Sequence, residues 1–157
     1  MLKTILESNG YEVESAYDGH DVIDKIKTLE YDLLLASSDM HAMDGFQVCR
    51  LLKESDQMRH VPAMILSSLS DHVTRNRAIE SGADEFITKP FNRVELLSRV
   101  VALLRIKSLH DKLERLIAEK EEEKKKLAEK TNELQILSEI ARIVISIKDQ
   151  RGVLSEI

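Results

Sequence analysis

Four short runs within residues 1–90 carry a strand pattern: YEVESAY (11–17), YDLLLAS (31–37), VPAMILSS (61–68) and ADEFITK (83–89). The two middle runs are apolar at successive positions, as strands covered on both faces require. Between them lie GHDVIDKIKTLE (19–30), DGFQVCRLLKES (44–55) and DHVTRNRAIESG (71–82), each apolar at helical spacing. Gly82 stands where the end of a helix favours glycine. Strand alternating with helix predicts an α/β fold built on a parallel sheet covered by helices.

From about residue 91 the pattern changes. Asn92 and Glu95 form a capping-box signature directly after Pro90, and no further glycine or proline occurs before Gly152. Apolar residues then recur at alternating steps of four and three: Ala102, Ile106, Leu109, Leu113, Leu116, Leu127, Leu134, Leu137, Ala141 and Val144. That register predicts a coiled-coil seam with Leu109, Leu113, Leu116, Leu127, Leu134 and Leu137 at its centre, interrupted by Lys120, Glu123 and Lys130. In a parallel, in-register pair, Glu119 falls opposite Lys124 of the partner helix. The run EEEKKK (121–126) also supplies i,i+3 and i,i+4 pairs that support a solitary exposed helix, which is the alternative. The expected organisation is 1–105 for the α/β unit, 106–147 for the helix and 148–157 for the start of a possible downstream domain.

Charge and cysteine content narrow the function classes. The formal net charge of −5 gives no electrostatic case for nucleic acid or a membrane surface. LLLA (33–36) is far too short to span a bilayer, and MLKTILESNG has no signal-peptide apolar region, so a cytoplasmic location is expected. Cys49 is the single cysteine, which excludes an internal disulfide and a cysteine zinc site. Its helical apolar context predicts a buried thiol.

One constellation is specific. HAMDGFQVC (41–49) resembles the loop and helix start after the third strand of response-regulator receiver domains, usually written PGMDGFEV. SGADEFITKPF (81–91) resembles that family's last strand with its Lys-Pro turn, and VPAMILSS resembles its strand with the Ser/Thr switch residue. The spacings agree: Ser67 lies 22 positions and Ser37 lies 52 positions before Lys89. The resemblance covers roughly residues 1–105 and implies a flavodoxin-like receiver, with the long helix appended.

In that family an aspartate ending the third strand accepts a phosphoryl group from a histidine kinase, and an acid pair after the first strand helps hold Mg²⁺. Here position 37 is serine, and the chain opens within what resembles the first helix, so the first strand and its acid pair are expected to be missing. A serine hydroxyl is a poor nucleophile without a base. Without the carboxylates Mg²⁺ has no dedicated oxygen ligands. Phosphotransfer is therefore not expected, and neither a cofactor nor a metal is assigned. Ser67, Phe86 and Lys89 match the family's switch positions and are expected to persist as architecture. Asp39 and Asp44 are the carboxylates nearest Ser37; Asp39 would share its face if the strand continued, but the resemblance places that segment in a loop, and Asp44 is expected to cap the next helix, so a substitute acceptor is the lesser alternative.

Three histidines are expected on or beside loops. His41 stands where the family has proline, while His60 and His72 flank VPAMILSS; none has a metal-ligand partner at i+4. His110-Asp111 is similar to the histidine–acid step of some histidine-kinase phosphoacceptor helices, but the rest of that motif is absent and a surface helix is expected. TNELQILSEIARIVISIKDQRGVLSEI (131–157) resembles the helix leading into GAF-type sensor domains. The resemblance as a whole implies a phosphorylation-independent two-component module without catalysis of its own. It would act by protein contact, pairing with a second copy through the helix and with a histidine kinase or other signalling protein. The alternatives are a phosphoacceptor receiver truncated at its N-terminus, or the N-terminal fragment of a multidomain signalling enzyme.

Overall fold

A computed structural model describes residues 1–40 and 43–153, with side chains through Ser146. His41 and residues 154–157 lie outside the described residues. The chain divides into two compact units, Met1–Asp111 and Lys112–Ile157. In chain order the elements are α1 (Leu2–Glu7), α2 (Gly19–Thr28), β1 (Leu34–Ser37), α3 (Gly45–Glu54), β2 (Ala63–Ser67), α4 (His72–Glu80), β3 (Glu85–Thr88) and α5 (Arg93–Val153).

The three strands form one parallel sheet in the order β1-β2-β3, with Leu34 opposite Ala63 and Met64 opposite Glu85. β2 is the central strand and every residue of it is buried. Alternation divides its side chains between two cores. Ala63 and Ile65 join Phe46, Cys49, Leu52 and Ala78 under α3 and α4; Met64 and Leu66 join Leu6, Ile87, Leu96, Val100 and Leu103 under α1 and α5. Burial of Leu96, Val100 and Leu103 shows how α5 attaches within the first unit: one stripe at helical spacing lies on the sheet, while Ile106 and Leu109 stay exposed.

β1 is less covered than its apolar run predicts, since only Ala36 is fully buried and Leu34 is half-buried. Among the described residues no strand pairs with its outer edge. The expected strand at 11–17 does not form. That segment is held by side chains instead of a ladder. The Lys25 ammonium donates to the Ser15 carbonyl at 2.6 Å, the Tyr17 N–H donates to Asp21 at 2.9 Å, and the Tyr31 hydroxyl donates to Glu14. Loss of water contact and the Glu14 carboxylate push the Tyr31 phenol up to about 12. Tyr11 and Val13 pack on the second core, so alternation marked the buried face without supplying a partner edge.

Helix ends follow local chemistry. Asp18, Asp44 and Asp71 cap α2, α3 and α4 through their carboxylates. Asp44 and Gln47 complete a reciprocal capping box. At α5 only half of the expected box forms: Asn92 accepts from the Glu95 N–H at 2.7 Å, while the Glu95 carboxylate pairs with Arg99 at 3.0 Å. Gly82 has a positive φ of 77°, as its position after α4 requires.

Candidate functional site

Parallel strands bring their carboxyl ends to one edge of the sheet, where ligands of open α/β folds gather. Ser37 ends β1, Ser67 ends β2 and Lys89 follows β3, so residues far apart in sequence meet there. The Lys89 ammonium donates to Ser37 Oγ at 2.8 Å, and the Lys89 N–H donates to the Ser67 carbonyl at 2.7 Å. Ser67 is fully buried, and its Oγ accepts from the Leu69 N–H at 3.1 Å. Phe86 is elsewhere: it packs on the core under α3 and α4 and takes no part in this hydroxyl cluster.

Asp39 is drawn into the cluster. Its Oδ1 accepts from the Ser38 hydroxyl at 2.8 Å, its Oδ2 accepts from the Ser68 hydroxyl at 3.0 Å, and Lys89 Nζ lies 3.6 Å from Oδ2. Those hydroxyl donors, with Lys89 adding to them, hold the Asp39 carboxyl below the usual carboxylate range. Ser38 also lies 2.9 Å from Ser67 Oγ. Ser38 and Ser68 were not singled out from the sequence, yet the signal was present: a Ser-Ser pair closes each of the runs DLLLA and AMIL. Asp44 is committed to structure, with one oxygen on the Gln47 N–H at 2.9 Å and the other on Arg77 at 2.8 Å. The Arg77 guanidinium lies over the Phe46 ring at 4.4 Å, tying α4 to α3.

Gly45 explains the Asp-Gly pair of the loop motif. A Cβ there would meet the Ser37 carbonyl oxygen at 2.5 Å, so only glycine lets α3 begin this close to the end of β1. The cluster does not fit a magnesium ion. Mg²⁺ requires near-octahedral oxygen coordination, commonly with more than one carboxylate, whereas Ser37 has one nearby carboxylate and an ammonium in contact with both. Among the described residues no group of three or more His, Cys, Asp or Glu side chains is placed to hold a metal.

The other expected features fall away from this edge. His60 and His110 stack with ring centroids 5.2 Å apart and planes 10° from parallel, so His110 is not a plain surface residue. Beside them Lys107 is buried and pairs with Asp111. His72 begins α4 and is exposed. Cys49 is fully buried, and burial pushes its thiol up. In the second unit Leu113, Leu116, Leu127, Leu134, Leu137 and Val144 are all exposed, as is a flanking stripe of Ile136, Ile140 and Ile143. Among the described residues no helix is long and apolar enough to cross a membrane.

The parallel sheet with its serine and lysine edge defines a receiver-type α/β module. The response regulator receiver domain model matches residues 1–101, and the chain belongs to that family. It is similar to the response regulator PleD of Caulobacter vibrioides, 37% identical over 113 residues, a match spanning 72% of this chain but only 25% of the relative. Among solved structures it resembles the signal receiver domain of a signal transduction histidine kinase from Syntrophus aciditrophicus. That pair is 39% identical with a TM-score of 0.63, covering 66% of this chain and 79% of the other. A putative response regulator from Chloroflexus aurantiacus is 28% identical with a TM-score of 0.65, covering 67% and 86%.

Proposed function

We propose that this receiver domain of two-component signalling works without phosphorylation at position 37, as a protein-contact module paired through its C-terminal helix. The observation that carries the reading is Ser37. Its hydroxyl accepts from Lys89, and Asp39, the only carboxylate of the cluster among the described residues, is already bonded by Ser38 and Ser68. Among the described residues no carboxylate or imidazole bonds Ser37 Oγ to take its proton; its partners there are the Lys89 ammonium and the Asp39 N–H. Ser67, Phe86 and Lys89 then act as architecture, and the module has no catalysis of its own. Its partners are a second copy and a histidine kinase or other signalling protein in the cytoplasm, with neither nucleic acid nor membrane engaged. The receiver part corresponds to 1–105, the pairing helix to 106–147, and 148–157 to the start of a further domain.

Pairing is supported by the exposed seam. Six leucines on one three-four register, interrupted at Lys120, Glu123 and Lys130, face water, and covering such a row is the usual source of helix association. The test of the first claim is intact mass after incubation with a small acyl-phosphate donor and Mg²⁺. The mass stays unchanged, and Ser37→Asp alone does not change that, because the cluster still does not fit the metal. A stoichiometric gain of one phosphoryl group in the parent chain contradicts the reading. A gain abolished by Asp39→Asn would assign the acceptor to Asp39.

A further inference from the structure

We propose that Asp39 is a resident anion: its carboxylate fills the hydroxyl-and-ammonium cluster at the carboxyl edge of the sheet and latches the segment after β2 against the end of β1. The inference rests on the phosphorylation-independent reading and adds what holds the site in one state. Three donors from three places in the chain converge on this one group. Ser38 follows β1, Ser68 follows β2 and Lys89 follows β3, at 2.8, 3.0 and 3.6 Å from the two carboxylate oxygens. The same network continues inward, through Ser38 to Ser67 Oγ at 2.9 Å and from there to the Leu69 N–H at 3.1 Å. A carboxylate is thus bonded on both oxygens by residues of two different strand ends, with a lysine from the third beside it.

Two hydroxyls, an ammonium and the further hydroxyl of Ser37 make a donor set suited to a tetrahedral oxyanion. Asp39 occupies it from within. Charge decides the consequence: with a carboxylate bonded in place, an incoming phosphate meets a like charge at the position where its own oxygens would bind. Lys89 is one-third exposed, so solvent reaches the cluster and the carboxylate excludes anions by charge more than by burial. Removing the carboxylate therefore has two effects at once: the segment Ser68–Ser70 loses its tie to β1, and the freed donors accept an external oxyanion.

The experiment uses the full chain, with amide hydrogen exchange and a titration with inorganic phosphate followed by backbone NMR. The parent chain binds no phosphate in the millimolar range, and its Leu69 amide, which donates to Ser67 Oγ, is protected. In Asp39→Ala, protection there falls by about tenfold or more. Millimolar phosphate then shifts the signals of Ser38, Ser68 and Lys89, and adding Lys89→Met abolishes that binding. Asp39→Asn, which keeps the shape and drops the charge, gives the same phosphate binding with a smaller loss of protection. Phosphate binding by the parent chain, or an Asp39→Ala variant that neither binds phosphate nor loosens the Leu69 amide, overturns the latch. Neither outcome bears on covalent phosphorylation, whose own test is the mass measurement above.

Discussion

The two units treat their apolar residues in opposite ways. In Met1–Asp111 the side chains of Leu52, Met64, Ile65 and Leu96 are 0% exposed, enclosed by helices on both faces of a three-stranded sheet. In Lys112–Ile157 Leu113, Leu127, Leu134 and Leu137 are between 57% and 67% exposed. The first unit buries its apolar surface within itself. The second carries a regular apolar pattern that stays exposed among the described residues, the kind of row whose covering would favour association under the proposed pairing. One sequence thus specifies a packed core and, further along, an exposed apolar row on the helix.

The largest expected effect separates the two units by stability. Ile65→Ala empties a position in the middle of β2 and should cost about 2–5 kcal/mol, read as a drop in the melting temperature of the first unit. Leu127→Ala, on the exposed seam, should leave that transition in place and weaken self-association instead. A shared effect of both substitutions on one transition would break the contrast.

Next comes Gly45. Gly45→Ala forces a Cβ to within 2.5 Å of the Ser37 carbonyl oxygen, and neither backbone segment can yield easily. A loss of roughly 1–3 kcal/mol is expected in denaturant titration. An unchanged midpoint would mean that α3 does not need its close approach to β1.

The helix can be tested by chemistry. With Leu116→Cys, mild oxidation of the full chain should give a disulfide-linked pair, since in a parallel, in-register coil that seam position meets its own copy. The native thiol does not interfere, because Cys49 is fully buried and burial pushes its pKa up. An antiparallel pair or a solitary helix leaves the variant uncrosslinked.

How much of this was legible in sequence differs by region. Helices α2, α3 and α4 followed from their spacing, α3 also from its Asp44 cap, and β2 from its continuous apolar run; the Asp18 and Asp71 caps emerged only in the structure. YEVESAY failed because alternation marks which residues face a core, while a strand also needs a neighbouring edge. Segment 11–17 is tied to α2 by Lys25 and Asp21 instead. Ser37, Ser67 and Lys89 were legible by spacing. Ser38, Ser68 and Asp39 gained meaning only when three strand ends were brought together, as did the stack of His60 on His110, 50 positions apart. The Leu96, Val100 and Leu103 stripe was hidden beneath the more conspicuous heptads of the same helix.

The smallest expected effect is a pH dependence at Asp39. Its folded pKa lies below the ordinary aspartate value of about 3.9, so its contribution is complete above that value and fades as pH falls through the lower folded one. Near neutrality nothing changes. Asp39 is about half exposed, so Asp39→Asn should cost about 1 kcal/mol or less at pH 7. The difference from the parent should shrink as the pH drops below the carboxylate range. A growing difference in acid would contradict the sign.

The most direct test of the account is sedimentation equilibrium of the full chain with and without a small acyl-phosphate donor and Mg²⁺. Pairing through an exposed seam in a receiver whose position 37 is serine predicts self-association with the same dissociation constant in both conditions. A chain that stays monomeric, or one whose association shifts when the phosphodonor is added, would contradict it.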